Sequence, residues 1–295
     1  MQKIFFKQTI LVLFSFLLFI SSCADHKSST SNPNRISTNT ASYSIIASAE
    51  PTGFVEGKTT IMLDIKDQNT ELPITGLSVT ANAMMKMASS ANHSTPVGNC
   101  IEKIGGYSCV VYFLMSTESN NIHRGDWTVN FMIGSDNEKA TIYPNVMKAG
   151  LDTVQVRLKG IADKIPAMGG GEESRIYHIF LDNITNNASN YDLTFYISAR
   201  ESMMKFSALK LNSIYNTSTS NQLTVSSIVV EGGKDKNSLQ SLTDNNDGTF
   251  TLSNIALTTG SQDVYIALSV NNEQKTTNGE AASSSNREAT FTITR

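Results

Sequence analysis

From Ile45 to its end, the chain is built from short runs of β-branched and aromatic residues cut by Gly, Asn, Asp and Ser. Thr59-Thr60-Ile61-Met62-Leu63-Asp64-Ile65 is one such run, and Leu77-Ser78-Val79-Thr80-Ala81 alternates with period two. Cys109-Val110-Val111-Tyr112-Phe113, Trp127-Thr128-Val129-Asn130-Phe131-Met132-Ile133 and Lys139-Ala140-Thr141-Ile142-Tyr143 continue the pattern. No stretch sustains a period of 3.6, so helix should be scarce. Short strands at this spacing, separated by turn residues, predict an antiparallel β-sandwich.

The second half repeats the landmarks of the first. Arg175 to Asp182 parallels Thr60 to Asp64, and Glu201 to Phe206 parallels Asn82 to Met87. Asp247-Gly248-Thr249-Phe250 matches the Gly105-Gly106-Tyr107 turn, and Gln262 to Leu268 matches Gly125 to Phe131. One order of landmarks in both halves predicts an all-β chain of two tandem Ig-like antiparallel sandwiches, over 45–149 and 175–295. Residues 150–174, with Gly169-Gly170-Gly171 in them, read as a linker.

The N-terminus addresses location. Lys3 and Lys7 precede the apolar run Ile10 to Ile20, and Ile20-Ser21-Ser22-Cys23 closes it. That is the pattern of a bacterial lipoprotein signal peptide over 1–22, with Cys23 as the lipidated residue. The run is too short to span a bilayer, which takes about 20 residues. Residues 23–44, rich in Ser, Thr and Asn, read as a disordered tether. The chain is then held to the membrane through the lipid on Cys23. Ala24, rather than Asp, follows Cys23, which under the enteric sorting rule points to the outer membrane; the face is left open.

Removing Lys3 and Lys7 with the signal leaves a net charge of −5 from the −3 of the full chain. No Lys/Arg-rich block is present, which argues against nucleic acid as a partner. The remaining cysteines, Cys100 and Cys109, flank a hairpin-like segment. Pairing Ile101 with Ser108 and Glu102 with Tyr107 sets them opposite each other, within disulfide reach in an oxidising compartment. A thiol metal site is the other reading, but there is no C-x-x-C spacing.

Met84, Met85, Met87 and His93 carry the sharpest chemistry. Thioether sulfur and imidazole suit copper, Cu(I) above all. In an extended segment Met85 and Met87 share a face, so Met85, Met87 and His93 could converge, with Met84 and Lys86 on the other side. The competing reading is that methionines fill gaps in a sandwich core, and the recurrence of Met203-Met204 without a histidine favours it. His178 reads as packed or surface, His123 as a solvated loop residue and Trp127 as core.

Four landmarks of the first half resemble the YtkA-like family, which is related to FixH-type proteins: Asp64 to Pro73-Ile74, Met84-Met85-Lys86-Met87 with His93 and Pro96, Gly106-Tyr107, and Gly125-Asp126-Trp127-Thr128-Val129. The resemblance covers about residues 50–147. It implies a small Ig-like sandwich in the bacterial envelope, linked to copper handling, with a degenerate copy following it.

No G-x-S-x-G, H-E-x-x-H or similar set is present, so no catalytic activity is expected. The expectation is a lipid-anchored accessory or binding module that handles copper through Met85, Met87 and His93. The alternative is a structural lipoprotein whose loops engage an envelope or host protein.

Overall fold

The computed structural model describes residues 32–49, 52–89, 91–217 and 219–295. Residues 1–22, read above as a signal peptide, and Cys23 lie outside them. Among the described residues every regular element is a strand, every paired strand is antiparallel, and Asn32–Arg295 form one compact unit. The all-β expectation holds.

Two separate cores lie within that unit. One gathers buried side chains from Ile45 to Val146 around Trp127, Phe113 and Phe131. The other runs from Leu158 to Ile293 around Tyr177, Phe195 and Phe291. In each, alternate residues of facing sheets point inward; Gly57–Asp67 buries every second side chain almost without break.

The two halves share one strand order. In the first, Arg35–Asn39, Tyr43–Ser48, Gly57–Asp67, Gly106–Phe113 and Val97–Lys103 form one sheet in that spatial order. Glu138–Ile142, Gly125–Ile133, Val79–Met87 and Asn92–Ser94 form the other. The second half runs Gln155–Pro166, Glu172–Asn187, Asn190–Ser202, Thr249–Ile255 and Thr243–Asp244 in its first sheet. Its second sheet runs Glu288–Thr294, Ser261–Val270, Ile228–Gly233 and Gln240–Ser241.

This correspondence corrects the sequence alignment of the halves. Arg175 to Asp182 is the counterpart of Tyr43–Ser48, not of Thr60 to Asp64. Glu201 to Phe206 lies at the end of the counterpart of Gly57–Asp67, and the counterpart of Val79–Met87 is Ile228–Gly233. Met203-Met204 is therefore no repeat of Met84-Met85. The Gly125 and Gln262 landmarks do correspond, since both strands are flanked by the last strand of their half.

Both proposed boundaries also move, for one reason. The stretch 23–44 read as a tether contains a strand, because Arg35–Asn39 pairs with Tyr43–Ser48. It is an edge strand whose Ile36 alone packs on the core, so a polar composition conceals it. Nor is 150–174 a linker: Gln155–Pro166 pairs with Glu172–Asn187, and Gly170 and Gly171 supply the positive φ of the turn between them. The second sandwich begins at Gln155, again with an edge strand.

Cys100 and Cys109 are disulfide-bonded, with Ile101 opposite Ser108 and Glu102 opposite Tyr107, the register read from the sequence.

The halves meet through side chains that leave their own cores. In Gly106–Phe113, Tyr107, Cys109, Val111 and Phe113 point inward, while Val110 and Tyr112 face the second half. In Glu172–Asn187, Tyr177 and Ile179 point to the core, and Phe180 packs on Tyr112. Tyr112 stacks on Tyr196 with centroids 4.1 Å apart and planes 5° apart. Its hydroxyl donates to Asp182 at 2.6 Å, and Lys58 pairs with the same carboxylate at 2.8 Å. Where the two strands meet, residues 111–113 and 177–180 are buried on both faces, so these stretches read as continuous apolar or aromatic runs.

Candidate functional site

Beside this joint the two halves enclose a cleft of about 160 Å³, lined in part by His93, Met115, Arg157, His178, Arg200 and Met203. His93 comes from the short strand Asn92–Ser94, which pairs with the end of Val79–Met87 so that His93 stands opposite Met85. Trp127 stands opposite Met85 on the other side. The His93 ring meets Trp127 edge-on, with centroids 5.7 Å apart at 84°.

The His93 nitrogens have different fates. Nδ1 lies 3.0 Å from the Ser94 carbonyl and, as the N–H tautomer, donates to it. The lone pair is then on Nε2, which is buried and has no hydrogen-bond partner. A ring held by one nitrogen through a carbonyl, with the other free, is the arrangement of histidines that ligate metals.

His178 approaches from the second half, on Glu172–Asn187, between Arg157 and Ser198 of the neighbouring strands. It is 5% exposed and its Nδ1 is also buried without a partner. Burial, then Arg157, Arg200 and His93, lowers its pKa to about 3. The ring is therefore neutral and able to offer a lone pair. A neutral buried histidine has a pH signature. The unfolded chain takes up its proton near pH 6.5 and the folded chain only near 3. Its contribution to stability is complete above 6.5 and is lost as pH falls towards 3, at about 1.4 kcal/mol per unit. Urea unfolding at pH 6.5 and pH 5.0 should show a loss of about 2 kcal/mol that is absent in His178→Leu; an equal loss in the variant would assign the effect elsewhere.

Two methionines also line the cleft. Met115 carries the backbone carbonyl that accepts the Trp127 indole N–H at 2.9 Å. Met203 is tied to the first half where Ser94 N–H donates to its carbonyl at 2.9 Å, and its sulfur accepts from Arg200 Nη1 at 3.3 Å. Arg200 Nη2 lies 2.7 Å from Glu173 Oε1 without hydrogen-bond alignment.

The structure thus divides the methionine–histidine set read from the sequence. His93 lines the cleft. Met85 is fully enclosed in the first core and Met87 packs against that core. Val79–Met87 is a central strand, so its inward residues are committed to packing. Lys86 is exposed on the opposite face, as its parity requires. His123 sits on an exposed hairpin 3.4 Å from Asp126, away from the cleft. Trp127 is core, as expected. His178, Met115 and Met203 were not singled out as a site; no spacing rule links residues brought together by two sheets of different halves. Among the described residues, no three His, Cys, Asp or Glu side chains gather as a metal site.

The wider groove past Tyr196, Glu201, Lys205 and Asp247, about 430 Å³, is open and polar. Its lysine and glutamate already pair with each other at 3.0 Å. It leaves no unpartnered buried group comparable to His93 Nε2.

No family model and no curated protein matches this chain.

Proposed function

We propose that this protein is a non-catalytic, lipid-anchored envelope protein, held by the lipid on Cys23 at the outer membrane, whose Ig-like sandwiches bind copper in the cleft between them. The observation that carries the reading is that Nε2 of His93 and Nδ1 of His178 are both buried without a partner, on two residues that line one cleft. A buried polar atom without a partner costs about 1–3 kcal/mol, a cost that a bound ligand removes. Two imidazoles beside the Met203 thioether are donors that suit Cu(I). The guanidiniums of Arg157 and Arg200 bear on the charge of the ion: they oppose a divalent cation more than a monovalent one. The likeness of Met84-Met85-Lys86-Met87, His93 and Gly125-Asp126-Trp127 to the YtkA-like pattern supports the same reading, with the ligands reassigned from Met85 and Met87 to the cleft.

The test is a Cu(I) titration of the exported protein against a chromophoric chelator. One ion should bind tightly, and His93→Leu should weaken binding by at least about tenfold, the equivalent of 1.4 kcal/mol. The double variant Met85→Leu, Met87→Leu should bind as the parent does. Binding lost in the double variant but kept in His93→Leu would return the site to the core methionines. Absence of binding in the parent would leave the alternative, a structural lipoprotein that presents its loops to an envelope or host protein.

A further inference from the structure

At the far edge of the second core, two buried cations meet two partly buried carboxylates, Asp163 with its side chain 8% exposed and Glu273 with 22%. Lys275 is 1% exposed and Arg175 is fully buried. The strand Gln155–Pro166 bulges between Lys159 and Lys164, and a Cβ at Gly160 would meet the Asp163 carbonyl at 2.5 Å, so a tight bulge requires glycine there. The bulge turns Asp163 inward. Its Oδ1 accepts from Arg175 Nε at 2.9 Å, and its Oδ2 accepts from the Tyr177 hydroxyl at 2.6 Å. Lys275 Nζ lies 3.4 Å from that same Oδ2 and 5.1 Å from the centre of the Tyr177 ring. Glu273 Oε1 accepts from Lys275 Nζ at 2.8 Å. The Glu273 carboxylate also accepts the backbone N–H groups of Ile161, Ala162 and Asp163, which locks the bulge to the lysine's own strand.

We propose that Lys275 and Asp163 condense into an intramolecular amide, a covalent tie between the two sheets of the second sandwich. The ammonium first gives a proton to Oδ2, leaving a neutral amine beside a neutral acid. Nζ then attacks Cγ, and the negative charge that develops on Oδ1 is held by the Arg175 N–H. Glu273 relays a second proton from Nζ to Oδ2, the C–Oδ2 bond breaks, and that oxygen leaves as water. One N–C bond forms, one C–O bond breaks, and an ammonium and a carboxylate become an amide and one water, with no oxidant or reductant. The Tyr177 hydroxyl, whose pKa burial and then Asp163 push well above 10, stays protonated and keeps its hydrogen bond on the leaving oxygen.

Three physical arguments favour this outcome over a lasting ion pair. Lys275 Nζ is held 3.4 Å from an oxygen of the carboxyl group it would attack, and reactants fixed beside each other in this way reach effective molarities of about 10⁵ M or more. Burial excludes the water that would reverse the step. Desolvating two charges is costly, and condensation removes both while Arg175 and Glu273 remain to balance each other. The tie would join segments 112 residues apart in sequence.

The experiment is a tryptic peptide map of the full exported chain. An amide at Lys275 blocks cleavage there, so residues 160–164 should appear joined to residues 237–287, at the summed mass less one water. Lys275→Arg should abolish the branched peptide, and Glu273→Gln should reduce its yield at least about tenfold, as loss of a proton-relaying group does. Separate linear peptides from the parent chain, with cleavage after Lys275, would overturn the proposal; an undiminished branch in Glu273→Gln would overturn the role of Glu273.

Discussion

Trp127→Ala is expected to destabilise the first sandwich by about 3–5 kcal/mol, the usual cost of emptying a large aromatic site in a core. Trp127 is 1% exposed and packs against Phe113 with centroids 5.0 Å apart at 71°. Its indole N–H also satisfies the Met115 carbonyl, so the substitution adds an orphaned acceptor to the cavity. The consequence reaches the cleft, because the His93 ring rests edge-on against the indole and Met115 loses its tether. Urea denaturation measures the first effect, and the Cu(I) affinity of the folded variant measures the second. A loss below about 1 kcal/mol would be at odds with a filled, closely packed core.

The second large effect concerns the joint. Tyr112→Ala should cost about 3–5 kcal/mol and uncouple the two halves in thermal unfolding. Tyr112 is 4% exposed although it points away from its own core. It stacks on Tyr196, touches Phe180 and donates to Asp182. Removing it leaves Asp182 with Lys58 alone and opens a cavity between two otherwise independent cores. A parent chain that melts in one transition should give a variant that melts in two. Tyr112→Phe keeps the stacking and loses only the hydroxyl bond, so its cost should be about 1 kcal/mol. Equal losses in the two variants would contradict a joint held mainly by ring packing.

Particular residues explain how far the sequence could be read. The inward alternation of Thr59 to Ile65 and of Trp127 to Ile133 is legible because each strand lies in a half-buried sheet. The disulfide is legible because a short hairpin leaves one sensible register for Cys100 and Cys109. Edge strands are not legible in this way: Arg-Ile-Ser-Thr-Asn at 35–39 buries one apolar side chain and resembles tether. The false pairing of Arg175 to Asp182 with Thr60 to Asp64 has the opposite cause. Residues 177–180 of Glu172–Asn187 are buried on both faces at the joint, so the strand carries the apolar run expected of a central one. The cleft combines both difficulties. His93 was legible from its spacing to the methionines, but Met85 and Met87 occupy core positions of a central strand. His178 becomes meaningful only once the second half packs its outer face on the first.

Copper binding in the cleft is tested by a nitrogen-15 spectrum of the histidine rings, recorded with and without one equivalent of Cu(I). The chain has four histidines, each with its own ring signals. Nε2 of His93 and Nδ1 of His178 should shift together with the added ion, while the ring signals of His26 and His123 stay where they were. A spectrum in which His93 and His178 keep their free shifts as copper binds elsewhere, or in which no ring responds, would contradict a copper site in the cleft.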